Sequence, residues 1–467
     1  MINKETIAAI STPKGCGGIG IIRISGKKAE EIAKSIFRRI VKKNNKKELE
    51  PLSELESRHM YYGAIIDPGS SEIIDESLMV FMKSPNTYTG EDVAEIQSHS
   101  GYSVLNEILN LVVSSGAVLA EPGEFTKRAF LSGRIDLSQA EAVIDVINAK
   151  TSRSRKLASN TLYGSIADKI SALRDNLFQI YTYFEAWIDF PDDVDESRKK
   201  ELIRNLEIVY LPDLIRLKKL HGSERIIKEG FRVALAGLPN VGKSLIMNRL
   251  LSKDKSIVTD IPGTTRDVIE DIIEINGFPI ILTDMAGIQK TNDPVESIGI
   301  QKANHVLDQA DFIFFVIDGS RKLKDEEILL FNQIINKPCL VLCNKIDLLK
   351  EDPVLDEVII SSKPVIPISA LLDKNIDLIL DHLSRYLSDN ILIDDENPVI
   401  PNIRQKKHIN EAIESIEVFL SGYHNGIMDD LVSIDLKNAV KSLDAVLGRE
   451  EDLDVLDAIF SNFCIGK

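Results

Sequence analysis

The apolar positions of this chain follow three different rhythms. In the first stretch, up to about residue 118, short apolar runs at residues 6–11, 19–24, 60–66, 77–82 and 93–99 alternate with helix-like spacing at 27–40 and 104–113. That mixture of periods predicts an α+β domain. In residues 119–225 and again in 388–467, apolar residues recur at steps of three and four. Ile166, Ile170, Leu173, Leu177, Ile180, Phe184 and Ile188 form one such face, which Pro191 and the acids through Glu196 bring to an end. A second series runs through Ile409, Ala412, Ile413, Ile416 and Phe419, continues through Leu431, Ile434, Leu443 and Leu447, and closes with Leu453, Leu456, Ile459, Phe460 and Phe463. Between these helical stretches, in residues 226–387, strand-like runs at 231–236, 269–275, 280–284, 312–318, 340–344 and 365–368 alternate with helical ones. This is the pattern of a doubly wound α/β sheet. The predicted organisation is an α+β domain at 1–118, a helical bundle built from 119–225 and 388–467, and an α/β domain at 226–387 inserted within the bundle.

The α/β region carries the chemistry. Gly237-Leu-Pro-Asn-Val-Gly-Lys-Ser244 follows one apolar strand and precedes a helix, the context in which G-x-x-x-x-G-K-[ST] wraps backbone amides around phosphate. Lys243 is placed for the β- and γ-phosphates, and the Ser244 hydroxyl is a ligand type that suits Mg²⁺. Four further motifs follow in order. Thr264-Thr265 offers hydroxyls to the metal and the γ-phosphate, and Asp284-Met-Ala-Gly287 ends a strand near them. Asn344-Lys-Ile-Asp347 presents a carboxylate that accepts from guanine N1 and N2, while Ser369-Ala-Leu371 offers an amide to guanine O6. Adenine has the opposite donor and acceptor pattern, so this set selects GTP. The expected contacts are Asn240, Val241, Gly242, Lys243, Ser244 and Leu245; Thr259, Asp260, Ile261, Pro262, Gly263, Thr264 and Thr265; Asp284, Met285, Ala286 and Gly287; Asn344, Lys345, Ile346 and Asp347; and Ser369, Ala370 and Leu371. The expected Mg²⁺ ligands are Ser244 and Thr265.

Hydrolysis is less plainly encoded, because the residue after Asp-x-x-Gly is Ile288, which can neither accept nor donate a hydrogen bond, and Gln289 comes one position late. Two other groups have the right chemistry. The Asn240 amide oxygen suits a monovalent cation that would supply positive charge at the phosphates, and Glu296 is an acid able to orient water. From composition alone each also reads as an ordinary loop amide or helix-start acid.

Composition narrows the setting. Hydrophobic residues make up 44% and charged residues 27% of the 467-residue chain, ordinary for a globular protein with several cores. With no long apolar span and no signal-like start, a cytoplasmic protein without a membrane partner is expected. The net charge of -16 argues against coating nucleic acid through the overall field. Any RNA contact must be local, and the clusters Lys42, Lys43, Lys46 and Lys47, then Arg216, Lys218 and Lys219, then Arg404, Lys406 and Lys407 read first as solvated faces. Cys16, Cys339, Cys343 and Cys464 show no metal or disulfide spacing. Cys339 and Cys343 lie in a buried-strand pattern. In the first domain two loops, 13–18 and 84–92, interrupt the pattern; the former is glycine-rich but lacks the ending of a phosphate loop. Arg23 and Glu95 sit inside apolar strands, so they either pair with one another or face a ligand.

Over its whole length the chain resembles the MnmE (TrmE) family of tRNA modification GTPases. The resemblance rests on Gly-Ile-Gly-Ile-Ile-Arg-Ile-Ser-Gly at 18–26, Tyr-Thr-Gly-Glu-Asp at 88–92, Pro-Gly-Glu-Phe-Thr-Lys-Arg-Ala-Phe-Leu at 122–131 and Asp-Leu-Ser-Gln-Ala-Glu-Ala at 136–142. It continues through Ile-Asp-Phe-Pro at 188–191, Asp-Ile-Pro-Gly-Thr-Thr-Arg-Asp at 260–267 and Phe-Cys-Ile-Gly-Lys at 463–467. The resemblance implies an N-terminal domain similar to folate-dependent aminomethyltransferases that forms a homodimer, a helical domain, and an inserted Ras-like GTPase domain. It implies K⁺-stimulated GTP hydrolysis, with K⁺ held by Asn240, Thr259, Ile261 (through its carbonyl) and Thr264, and with Glu296 and Lys243 as catalytic residues. It implies a heterotetramer with the FAD-carrying MnmG (GidA), acting on tRNA. The product is an aminomethyl or carboxymethylaminomethyl group on carbon 5 of the wobble uridine, made with 5-formyltetrahydrofolate or a related tetrahydrofolate. Arg23, Glu95, Arg134 and Lys467 would line the folate pocket. Cys464 would be a buried neighbour of that pocket. Cys16, Met285 and Gln289 depart from the family's usual Arg, Thr and Arg. The alternative class is a regulatory or ribosome-assembly GTPase without RNA-modifying chemistry.

Overall fold

The computed structural model describes residues 5–13, 15, 17–43, 46–190, 195–220, 224–253, 270–285, 305–349, 362–391, 399–449 and 453–466. The chain divides into two compact units. One comprises Met1–Ile144, Ala167–Tyr181 and Leu436–Lys467, the other Asp145–Ile166 and Thr182–Asp435.

In the first unit eight strands form one sheet: β1 (Ile7–Ile10), β2 (Gly20–Ser25), β3 (Phe37–Lys43), β4 (Lys46–Pro51), β5 (Met60–Ile66), β6 (Ile73–Met82), β7 (Val93–Ser98) and β8 (Val118–Leu119). Their order is β4-β3-β5-β6-β7-β2-β1-β8, antiparallel except for the β1–β8 pair. Because side chains alternate across a strand, Ile22, Ile24, Ile65, Met79, Phe81 and Ile96 fall on one face. There they pack with Ile32 and Ile36 of helix Ala29–Ile36 and with Ile108 and Val112 of helix Tyr102–Ser114. The same alternation sends Arg23 to the other face, where Met60, Tyr62 and Leu78 are exposed. The helix expected over 27–40 stops at Ile36. Phe37 takes an extended conformation, residues 37–39 pair with β5 and residues 38–43 pair with β4. Ile32, Ile36 and Ile40 fit helical spacing, but the β-branched Ile40 and Val41 pair with Leu49 and Glu48 of β4, and tertiary pairing wins over local spacing. A smaller cluster of Leu137, Ala140, Leu456, Phe460 and Phe463 closes this unit's helical part.

The second unit contains a six-stranded sheet of β9 (Phe231–Ala236), β10 (Glu270–Ile275), β11 (Phe278–Asp284), β12 (Phe312–Asp318), β13 (Cys339–Asn344) and β14 (Val365–Pro367). The order is β10-β11-β9-β12-β13-β14, parallel except for the β10–β11 hairpin. Strands β11, β12 and β13 are almost wholly buried, as parallel strands covered on both faces must be. The chain leaves β9 for β11 on one side and returns to β12 on the other. Such a switch point opens a crevice at the carboxyl ends of the strands.

Helix Ile403–His424 buries Ile409, Ala412, Ile413, Ile416 and Phe419, as its spacing predicts. Phe419 meets Phe184 edge-on with ring centroids 5.2 Å apart. In helix Asp429–Val446 the inward residues are Val432, Leu436, Ala439 and Leu443, whereas Leu431 and Ile434 are exposed. Of the expected face, Leu443 and Leu447 are buried, and only the first turns, at Leu431 and Ile434, are out of phase. Among the described residues no helix is long and apolar enough to cross a membrane.

Candidate nucleotide-binding and catalytic site

The loop after β9 takes its shape from residues that tolerate unusual backbone. Gly237 has φ +150° and Gly242 φ +101°; a Cβ at the first would meet the Val316 carbonyl and at the second the Asn344 side-chain amide. Asn240 holds φ +65°, a left-handed conformation that asparagine adopts more readily than most residues. Helix Lys243–Lys253 starts directly behind this loop. Lys243 is buried, and its ammonium donates to the carbonyls of Gly237 at 2.8 Å and Leu238 at 3.0 Å, curling over the loop. Burial lowers its pKa, partly opposed by the nearby Asp284 carboxylate. The Ser244 hydroxyl donates to Asp284 Oδ2 at 2.6 Å, so the loop and the end of β11 bring two hard oxygen ligands together.

The residues expected to recognise the base converge from the ends of β13 and β14. Buried Asn344 donates from Nδ2 to the Val241 carbonyl at 2.8 Å and accepts at Oδ1 from the Ala370 amide at 3.0 Å, tying the phosphate loop to the Ser369-Ala-Leu371 loop. Asp347 Oδ1 accepts from the Ser369 hydroxyl at 2.5 Å. Lys345, at φ +66°, donates to Asp318 Oδ2 at 2.7 Å. Burial alone would raise the Asp318 pKa, but hydrogen bonds from Lys345 and Ser320 outweigh it and hold the carboxyl below its ordinary value. Neither Asp318 nor Arg249, which grips the Ser369–Leu371 loop, belongs to a sequence motif. Met285 lies next to Asp284, packed against the cluster around Phe315 and Ile317. Thr259, Asp260, Ile261, Pro262, Gly263, Thr264, Thr265, Ala286, Gly287, Ile288, Gln289 and Glu296 lie outside the described residues.

In the first unit, Arg23 Nε meets Glu95 Oε1 at 2.8 Å across the β2–β7 ladder, where the two residues are directly opposed. Spacing alone leaves open whether these residues pair or face a ligand. The pair exists, and both side chains keep about a fifth of their surface exposed, 20% and 18%. The Arg23 guanidinium also lies over the rings of Tyr88 and Phe125, at 5.5 and 5.6 Å. Arg134 covers Tyr88 at 5.1 Å and donates to its carbonyl at 2.9 Å. Two of the four residues named for the folate pocket, Arg23 and Arg134, therefore meet at Tyr88, and Glu95 is tied to them through Arg23; Lys467 lies outside the described residues. The carbonyl of its neighbour Gly466 accepts from Ser11 Oγ at 3.2 Å and lies 3.5 Å from Arg23 Nη1. Tyr88 and Phe125 stand within the stretches 88–92 and 122–131 that carry the family resemblance, but nothing in their spacing marks the rings as cation partners. Cys464, expected to be buried there, is exposed, while Cys339 and Cys343 are buried as expected. Burial pushes the latter two thiols up to about 12 and about 11, so neither serves as a nucleophile at neutral pH.

Sheet order, phosphate loop and base loops together define a P-loop GTPase. Comparison with known proteins is more specific. The model of the MnmE helical domain matches residues 137–464, and that of the GTP-binding protein TrmE N-terminus matches residues 6–134. The tRNA modification GTPase MnmE of Carboxydothermus hydrogenoformans is 41% identical, covering 99% of this chain and 100% of that protein. The protein of the same name from Clostridioides difficile is 42% identical and covers all of both. Among solved structures, a point variant of Aquifex aeolicus Era bound to GDP.AlF4- is similar at 28% identity, over 39% of this chain and 66% of that one, with a TM-score of 0.29. The chain belongs to the MnmE family of tRNA modification GTPases.

Proposed function

We propose that this chain is the K⁺-stimulated GTP hydrolase of a complex that modifies carbon 5 of the wobble uridine in certain tRNAs. It would act in the cytoplasm as a homodimer, joined with the FAD-carrying MnmG, and use a tetrahydrofolate-derived one-carbon unit. The observation that carries this reading is similarity to curated relatives over essentially the entire chain, first domain included. The reading keeps three domains, at 1–118, 119–225 with 388–467, and 226–387.

The roles of the residues follow from their chemistry. Backbone amides of the 237–244 loop and the Lys243 ammonium bind the phosphates, and Asn344, Asp347 and the Ser369–Leu371 loop bind guanine. Ser244, close to Asp284, fits Mg²⁺, which prefers hard oxygen ligands and neutralises phosphate charge when bound, and Thr265 would be its second ligand. Asn240, with Thr259, Ile261 and Thr264, would hold K⁺, and Glu296 would orient water in place of a glutamine. In the first unit, Arg23 and Arg134 lie against a ring, Tyr88, of the kind that suits a flat heterocycle with anionic groups, and with Glu95 and Lys467 they would line the folate pocket. The exposed Met60, Tyr62 and Leu78 offer an apolar sheet face for the dimer.

The hydrolytic part is tested by measuring GTPase rates in KCl and NaCl for the wild type and Asn240→Ala. Faster turnover in KCl that disappears in the variant is expected. Equal rates in the two salts would overturn the K⁺ assignment.

A further inference from the structure

Arg249 stands on the helix that begins at the phosphate loop, six residues beyond Lys243, and reaches to the base-recognition loop. Its Nε donates to the Ala370 carbonyl and its Nη2 to the Leu371 carbonyl, both at 3.0 Å. We propose that Arg249 is a positioning residue for guanine recognition, setting the peptide plane whose Leu371 amide faces guanine O6. This rests on the assignment of the Ser369–Leu371 loop to the base.

The reasoning is geometric. In a trans peptide the carbonyl and the following N–H point in opposite directions. Holding the Ala370 carbonyl toward the helix therefore aims the Leu371 amide away from it, and holding the Leu371 carbonyl fixes the next plane. The loop's other amides have partners: that of Ser369 goes to the Lys374 carbonyl, that of Ala370 to Asn344 Oδ1, and that of Leu372 to Ser369 Oγ. The planar fork of a guanidinium suits two neighbouring carbonyls, whereas an ammonium is a single point of charge. Lys253, one turn further along the helix, pairs with Asp377 at 2.8 Å, so the same helix anchors this loop and the start of the helix that follows it. One rigid element thus carries the phosphate-binding lysine at one end and the base-loop clamp in its middle.

The test measures binding of GDP and 6-thio-GDP, together with GTPase KM and kcat, in wild type, Arg249→Ala, Arg249→Lys and Asp347→Asn. The sulfur of 6-thio-GDP accepts hydrogen bonds poorly, while its N1 and N2 groups are those of guanine. Arg249→Ala should weaken GDP about tenfold, one hydrogen bond's worth. It should weaken 6-thio-GDP less than about twofold and raise KM with kcat retained, and Arg249→Lys should recover part of the loss. An equal loss on both nucleotides, or no loss on either, overturns the proposal, the former by showing a merely structural contact. Asp347→Asn tests the base assignment separately. An asparagine matches xanthine, which has a carbonyl where guanine has its 2-amino group. The variant should therefore prefer XDP to GDP, and failure to do so would refute the base site itself.

Discussion

Single residues decide how this site holds together, and many of them do so through the backbone. Lys243, Ser244, Asp284, Asn344 and Asp347 are legible in the sequence because each is a fixed step in a spaced motif, and the fold brings them to one end of the parallel sheet. Arg249, Asp318 and Tyr88 are not, because their work is done through carbonyls, a neighbouring lysine or a ring face, and no spacing encodes those contacts. Asp318 makes a measurable case. Its pKa is depressed from the ordinary 3.8 by Lys345 and Ser320 against the pull of burial. A depressed carboxyl contributes stability that is fully present above its ordinary value and is lost as pH falls through its folded value. The gap in urea midpoint between wild type and Asp318→Asn should therefore be wide near neutral pH and close as the pH drops below 3.8. A gap that stays constant with pH would show that the ion pair is not its source.

At the level of elements, the parallel strands β9 and β11 to β13 are the easiest to read. They are buried on both faces, so the sequence shows largely apolar runs, broken in β9 only by Arg232, and those of β9, β11 and β13 end at motif residues. The antiparallel sheet of the first unit is harder. Its strand β3 continues the helical spacing of the helix before it, and only pairing with β4 and β5 reveals it. Helical faces are legible where one long repeat persists, as from Ile166 to Phe184, and slip in the first turns of helix Asp429–Val446, at Leu431 and Ile434. The contact of Phe184 with Phe419 joins two such faces within the second unit. Phe419 is wholly buried, so Phe419→Ala should cost about 3–5 kcal/mol in chemical denaturation. A loss below about 1 kcal/mol would mean that the aromatic cluster is not part of a packed core.

For the whole molecule, a net charge of -16 and two compact units frame what the GTPase site can control. A net charge of -16 leaves any tRNA contact to local patches. Family membership is as legible in the sequence as in the structure, since the stretches that carry it run from residue 18 to residue 467. In the proposed function, the nucleotide site built on Gly237 to Ser244 drives modification of the wobble uridine. The most direct measurement is mass spectrometry of tRNA nucleosides from cells in which Lys243→Ala replaces the native chain at equal abundance. Loss of the carbon-5 group from the wobble uridine, with other tRNA modifications intact, is the predicted result, and a fully modified wobble uridine would contradict the account.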